Sequence, residues 1–518
     1  MLKSVCSRIR CKTKIINPNR SSSPSVTGIF RWTLIAVTLL LLSGAFLAQP
    51  DSRTSQDQSV LHSALLGSEI ASDIRSGRPL DYDNVTITGL VDLRGLADPV
   101  ALPLTITNSR FLGPIIFEGA TFNEPVDLRG SVFQGNVSFA KVRFQDDAKF
   151  AGARFLGQAD YENAVFTGLA SFMSTRFFND TSFGNVQFDG DAIFMQSGFA
   201  RDVDYNFAQF ARLASFEMAY FNNVSFLETQ FSGHTSFRAV RFAGNATFAA
   251  TNFQSDVVFR GATFDRGSTF GLSGFGGLAD FGNVVFRETA YFGGVKFTDL
   301  AYFVNAMFNR GLILEDSRLY SMQLDNATFG KDALINLNGA DFTKFVVRWD
   351  AIKDRMVYDG AAYLALVKNY KNLEWFDDAD NCYYQYRRIG QDQAPWGWSK
   401  ISDIVSWISC GYGVRVSYTA VCCLLTILLF GVIFWAGKGM NKFEIEGMEL
   451  PGNPTMRPSQ RVSLTDALYF SIAMFTTSQA PVNTYQVGVY RHLAMLEGIM
   501  GWFFLGLFVV VLSAVLIR

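Results

Sequence analysis

Between Phe111 and Phe308 one large apolar residue returns at every fifth or sixth position. There are 37 such positions, and only Leu128, Tyr161 and Tyr205 are not Phe. The steps alternate five and six, an 11-residue period, with one slip where Phe221, Phe226 and Phe231 follow each other at fives. Neither a helix nor a flat strand buries a residue at that spacing. A chain that turns a corner after each short extended segment does, and two such units close a four-sided coil of roughly 22 residues. Coils stacked about 4.8 Å apart over about nine turns make a rod on the order of 45 Å long. Small residues two positions earlier, such as Ala153 before Phe155, Ala164 before Phe166 and Ala262 before Phe264, let the interior fill without voids. At roughly 1.5–3 kcal/mol per buried large apolar side chain, the ladder is the core.

Units such as Phe117-Glu118-Gly119-Ala120-Thr121-Phe122 resemble the pentapeptide-repeat family. The resemblance implies a mainly β fold, a right-handed quadrilateral parallel β-helix with Phe or Leu at its interior centre positions. The alternation of five and six departs from the strict fives of the best-known members. Residues 50–110 read as an N-terminal cap helix, with Leu61, Leu65, Ile70 and Ile74 at helical spacing, followed by a first coil from Val85 to Leu96. The β-helix proper is expected over residues 111–345.

Composition excludes several functions. The chain of 518 residues carries a formal charge of −1 and is 49% hydrophobic, which is high for a soluble protein. From Phe111 to Phe308 there are 14 Lys/Arg against 19 Asp/Glu, too mild an excess for a rod that mimics DNA, and no nucleic-acid partner is expected. Six cysteines avoid the repeat, so no disulfide framework holds it, and Cys422-Cys423 read as packing residues in an apolar run. His62, His234 and His492 form no ligand cluster, and no nucleophile elbow, phosphate loop or metal motif occurs. The expectation is a protein that is not an enzyme and has neither cofactor nor metal. The Asn-x-Ser/Thr matches at Asn136, Asn223, Asn245 and Asn326 read as by-products of the repeat.

Much of the excess hydrophobicity lies in three segments. Thr33–Leu47 follows a basic arm without acidic residues, so residues 1–49 read as a signal peptide, with Ser43-Gly44-Ala45 as its cleavage site, or as an uncleaved anchor. Val416–Ala436 and Gly498–Ile517 are each long enough to cross a bilayer. Between them, Ser463 and Asp466 stand at capping-box spacing before the apolar stretch Ala467–Phe475, which predicts a helix of about three turns. Three turns cannot span hydrocarbon. A short capped helix between two spans is the layout of a re-entrant pore loop.

The runs Leu464-Thr465-Asp466-Ala467-Leu468-Tyr469-Phe470-Ser471, Phe475-Thr476-Thr477 and Leu493 to Phe504 resemble the two-transmembrane potassium-channel pore family. The resemblance implies a homotetramer over residues 413–518, with Asp466 and Tyr469 on the pore helix. Thr476, Thr477, Ser478, Gln479, Ala480 and Pro481 would then stand at the filter, and Glu497, Gly501 and Gly506 on the inner helix. Where the family has Thr-Val-Gly-Tyr-Gly-Asp, this chain has Thr477-Ser478-Gln479-Ala480-Pro481-Val482. Both glycines that let carbonyls alternate inward are gone, and Pro481 restricts Ala480. The implied pore is therefore a weakly selective cation channel, with the β-helix as sensor or assembly domain. The alternative is a non-conducting, membrane-anchored β-helical scaffold.

Asp350–Arg388 reads as a helical hairpin capping the rod, with a turn near Trp375–Asp378, where Asp377, Asp378 and Asp380 form a solvated cluster. Trp396, Trp398, Ile401, Ile404, Val405 and Trp407 read as an interfacial helix within the connector 346–412, since Trp favours the headgroup zone. The expected location is a cell membrane, multi-pass. A basic arm held inside puts the β-helix on the extracytoplasmic side and the loop Gly437–Tyr490 inside, opposite to the pore family. The balanced loop charges, Lys438, Lys442, Arg457 and Arg461 against Glu444, Glu446, Glu449 and Asp466, do not decide between the two orientations.

Overall fold

The computed structural model describes residues 64–443, 458–459, 462–481 and 484–516. The basic arm, Thr33–Leu47, Leu61, Glu444, Glu446, Glu449, Arg457, Arg461 and Val482 lie outside the described residues.

From Ala64 to Val346 the chain winds as a parallel β-solenoid of about 13 turns, one for each strand of the sheet running from Ala64–Leu66 to Thr328–Phe329. Arg110–Phe111, Ile115–Ile116, Thr121–Phe122 and Val126–Asp127 are the four sides of one turn, and Val132–Phe133 opens the next. Like residues stack in register, Phe111 on Phe133 and Phe122 on Phe144. All 37 ladder residues are buried, none more than 3% exposed. Down one side the rings lie face to face, as in Phe172–Phe194 at 4.8 Å with planes 2° apart. Across the axis they meet edge-on, as in Phe172–Phe183 at 5.4 Å and 85°. Both are favoured by the aromatic quadrupole. The solenoid exceeds the nine turns of the Phe ladder because the end coils use aliphatic residues: Ile87, Leu93 and Ile106 first, then Leu312, Leu319, Leu324 and Ile335, all buried.

The alternation of five and six has a structural cause. Apart from Phe221 to Phe226, each five-residue step is a corner with one left-handed residue two places after the ladder position: Gly119 (φ +75°), Gly130 (φ +69°), Asn163 (φ +58°), Leu272 (φ +61°). The amide of Ala120 donates to the carbonyl of Phe117 at 3.0 Å, which closes a type II turn. Six-residue steps are wider corners. The slip is one such corner, Phe221 to Phe226, shortened by a residue, so that Val203 pairs with Val224 and Phe210 with Phe231 while the flanking register resumes. Interior hydroxyls clip coil to coil. Thr175 donates to the Phe150 carbonyl at 2.8 Å, Thr251 to Phe226 at 2.7 Å and Ser317 to Phe292 at 2.7 Å.

Both open ends are covered. Helix α1 (Gly67–Arg75) lays Ile70, Ala71 and Ile74 on the first coil, and the Glu69 carboxylate accepts from the Leu66 amide at 3.3 Å. At the other end come α2 (Trp349–Ile352), α3 (Gly360–Asn372) and α4 (Phe376–Gln393). Trp349, Tyr363, Leu366, Tyr370 and Cys382 continue the solenoid core without a break. Asn369 does what a next strand would do: its side-chain amide donates to the Phe345 carbonyl at 2.8 Å, and its oxygen accepts from the Phe345 amide at 2.9 Å. That satisfies an exposed sheet edge. The turn between α3 and α4 lies at Leu373–Trp375, slightly earlier than expected, with Glu374 left-handed at φ +60°. Asp377 and Asp378 fall in the first turn of α4, where Asp378 pairs with Arg348 at 3.0 Å.

Candidate functional site: a short helix between two long apolar ones

Helix α5 (Trp398–Cys410) ends in a corner where Gly411, Tyr412 and Gly413 are all left-handed, at φ +53°, +60° and +82°. Helix α6 (Val416–Ala436) follows with 21 residues, then α7 (Leu464–Thr477) with 14 and α8 (Tyr490–Leu516) with 27. At 1.5 Å per residue these are about 31, 21 and 40 Å long. A hydrocarbon core is about 30 Å thick, so α6 and α8 are long and apolar enough to cross it and α7 is not. Helix α7 is nearly four turns, one more than expected. Between the long helices, Met440–Phe443 pairs antiparallel with Thr484–Gln486 and with Pro458–Ser459.

Helix α7 starts where the capping residues predict. The Asp466 amide donates to Ser463 Oγ at 3.1 Å, and the Ser463 amide donates to the Asp466 carboxylate at 3.2 Å. Lys442 from the small sheet reaches Asp466 at 2.9 Å. Hydrogen bonds from Lys442 and Ser463 hold that carboxyl below its ordinary range. Ala467, Phe470 and Met474 then bury against Phe430, Phe434 and Ala494, with Phe434 edge-on to Phe470 at 5.1 Å.

The inner face of α7 is polar at one point. Ser471 Oγ lies 2.8 Å from the Ile427 carbonyl of α6 and also contacts the Glu497 carboxyl of α8, so one hydroxyl joins three helices. Glu497 is fully buried, and its second oxygen has no partner among the described residues. One turn on, a Cβ at Gly501 would lie 2.0 Å from the Phe475 carbonyl, so only glycine permits the approach of α8 to the end of α7. Trp502 closes the contact from the other side, its indole N–H donating to Ser478 Oγ at 2.9 Å.

The residues expected at the filter divide at Ser478. Thr476 and Thr477 belong to α7, and both hydroxyls donate to carbonyls four residues back at 2.7 Å. Ser478 ends the helix in the left-handed region, at φ +55°, with its amide on the Met474 carbonyl at 2.9 Å. Thr476 through Gln479 are exposed, and Ala480 and Pro481 half-buried. The Pro481 carbonyl accepts from the Thr484 amide and hydroxyl, both at 2.9 Å. Tyr469 is 63% exposed on the outer face of α7. Gly506 faces open space and so is not required by packing as Gly501 is. Sequence reasoning singled out Glu497 and Gly501 but missed Ser471, Trp502 and Lys442. For Ser471 and Trp502 the available signal was the small residues Gly498 and Gly501 on α8, since small residues let helix backbones approach closely.

A second cluster ties this module to the solenoid cap. Arg387 of α4 pairs with Asp403 of α5 at 2.5 Å. The Trp407 indole donates to Tyr384 at 2.8 Å, and Arg388 lies 4.0 Å over the Trp407 ring. Tyr412 donates to Gln391 at 2.7 Å, and Arg415 to Asn381 at 2.5 Å. Among the described residues no group of three or more His, Cys, Asp or Glu side chains is placed to hold a metal ion.

Residues 106–154, 150–197 and 275–318 match the family model described as pentapeptide repeats (9 copies). No curated protein and no solved structure matches the chain. The chain thus carries pentapeptide repeats within a parallel β-solenoid, followed by a C-terminal helical region with two helices long and apolar enough to cross a membrane.

Proposed function

We propose that the protein is a multi-pass membrane protein whose C-terminal module is one quarter of a homotetrameric, weakly selective cation pore, with the solenoid as sensor or assembly domain. The observation that carries this reading is α7: a capped 14-residue helix too short to span, wedged between two that are long enough, and joined to both through Ser471. The C-terminal end of a helix carries partial negative charge, which favours a cation beyond Thr477. Glu497, costly to bury in lipid, holds α8 against α7. Without glycine between Thr477 and Pro481 the segment cannot repeat the alternating carbonyls of a potassium filter. Discrimination among monovalent cations is therefore weak. The α4–α5 cluster keeps the solenoid beside the start of α6, so the solenoid and the loop after Ala436 lie on opposite sides of the bilayer.

The occupied hydroxyls of Thr476 and Thr477 favour the second reading, a non-conducting anchor for a binding scaffold. Purified protein in planar bilayers separates the two. Cation currents with similar sodium and potassium permeability, lost in Glu497→Ala, support the pore. Silence across voltage, pH and ionic conditions refutes it. A protease-cleavable tag in an exposed solenoid corner, read in intact cells, assigns the side.

A further inference from the structure

We propose that α5 docks on the bilayer surface, lying in the lipid–water interface with its apolar stripe taken up by lipid. The inference rests on reading α6 and α8 as spans. At 100° per residue, Trp398, Ile401, Val405 and Ile408 fall within an arc of about 80° on α5. They are 86%, 44%, 54% and 54% exposed, and Trp396 just before the helix is 81% exposed. These are large apolar side chains left open on a helix whose other large side chains are at least partly covered.

The opposite arc fixes which way α5 faces. Asp403 is held by Arg387 and Trp407 by Tyr384, while Cys410 is buried. The helix therefore cannot roll to hide its stripe against the solenoid cap. Its position along the chain decides what covers the stripe. Five residues separate α5 from α6, and three of them are left-handed, so the chain turns sharply at the head of the span. Cys422 Sγ, in the second turn of α6, lies 3.3 Å from the Ile408 carbonyl. The stripe thus continues into the exposed apolar face of α6 formed by Val421, Leu424 and Leu425. A helix held at that point with two exposed Trp matches the headgroup zone, where an indole keeps its apolar body in lipid and its N–H wet. Lys400, 5.2 Å over the Trp396 ring, bonds the carbonyls of Asp392 and Ala394 on the side away from the stripe. Through the Asp403 and Trp407 contacts, lipid docking of α5 would also seat the solenoid cap on the membrane.

The test uses full-length protein in phosphatidylcholine–phosphatidylglycerol liposomes, with the photocrosslinker p-benzoylphenylalanine replacing Ile401 or Val405, and in a parallel variant Leu425 of α6. After irradiation, a mass gain of one phospholipid at 401 or 405 and at 425 supports the proposal. Crosslinking of position 401 to a second copy, or to residues 1–63 of the same chain, would overturn it, because protein then covers the stripe. Lipid adducts at 425 with none at 401 or 405 would overturn the docking and leave the span intact. No lipid adduct at any of the three positions would sink the span reading as well.

Discussion

Phe237 sits near the middle of the ladder, fully buried, and its neighbours define what Phe237→Ala removes. Its ring stacks at 4.8 Å on Phe216 and at 4.8 Å on Phe259, and meets Phe226 and Phe248 edge-on at 5.4 and 5.3 Å. Phe-to-Ala truncation in a packed core costs about 3–5 kcal/mol, rising with the cavity left behind. Collapse is restricted here, because backbone hydrogen bonds at 2.7 Å tie the Phe237 amide to the Val258 carbonyl of the next coil and the Phe216 amide to the Ser236 carbonyl beside Phe237. The upper part of that range is expected. A solenoid's stability is a sum over neighbouring turns, so the loss should be local. Hydrogen exchange in detergent-solubilised full-length protein should lose protection over residues 214–260 by about 3–5 kcal/mol, with the terminal coils little changed. Phe178→Ala is the matched control: Phe178 follows a ladder Phe but is 43% exposed. Surface changes of that kind stay within about 0.5 kcal/mol. Equal effects of the two substitutions would refute the assignment of the ladder as core, and uniform loss along the rod would refute nearest-neighbour stability.

Other perturbations test separate parts of the structure. Tyr161 is buried in the stack with a hydroxyl that has no partner among the described residues, so Tyr161→Phe should raise stability by about 1–2 kcal/mol in thermal unfolding. One glycine inserted between Asn222 and Asn223 would restore the common six-residue corner and be tolerated. The same insertion between Leu227 and Glu228 breaks a type II corner and should abolish cooperative melting by circular dichroism. Arg94 grips Asp92 at 2.7 Å and pulls its carboxyl from 3.8 down to about 2. A carboxyl depressed in the folded state stabilises above its unfolded value, and that contribution fades as pH falls from about 4 towards 2. Asp92→Asn should therefore flatten the acid limb of local exchange at the first coils. Gly501→Ala would force α8 from the Phe475 carbonyl and should cost about 1–3 kcal/mol in detergent unfolding, while Gly506→Ala should be neutral.

The ladder, its coil length, the end caps and the two long apolar helices could all be read from the chain. Each depends on residues at short or constant separation: the same 22-residue contact recurs, so every rung repeats the evidence of the last. The capping box before α7 was legible for the same reason, since Ser463 and Asp466 are three residues apart. The end of the solenoid near residue 345 was legible too, but its start at Ala64 was not, because the first coils bury Ile and Leu, which lack the contrast of Phe.

Only the tertiary structure assigned the five- and six-residue steps to two kinds of corner, since left-handed backbone is adopted there by Leu272 and Phe207 as well as by Gly and Asn. Only the tertiary structure brought Ser471 to both Ile427 and Glu497, and Trp502 to Ser478, across 44, 26 and 24 residues. Those separations follow from how three helices pack, and no period carries them. The sequence alone thus determines the rod, because its contacts repeat; the geometry at the end of α7 was decided by packing, because its contacts occur once.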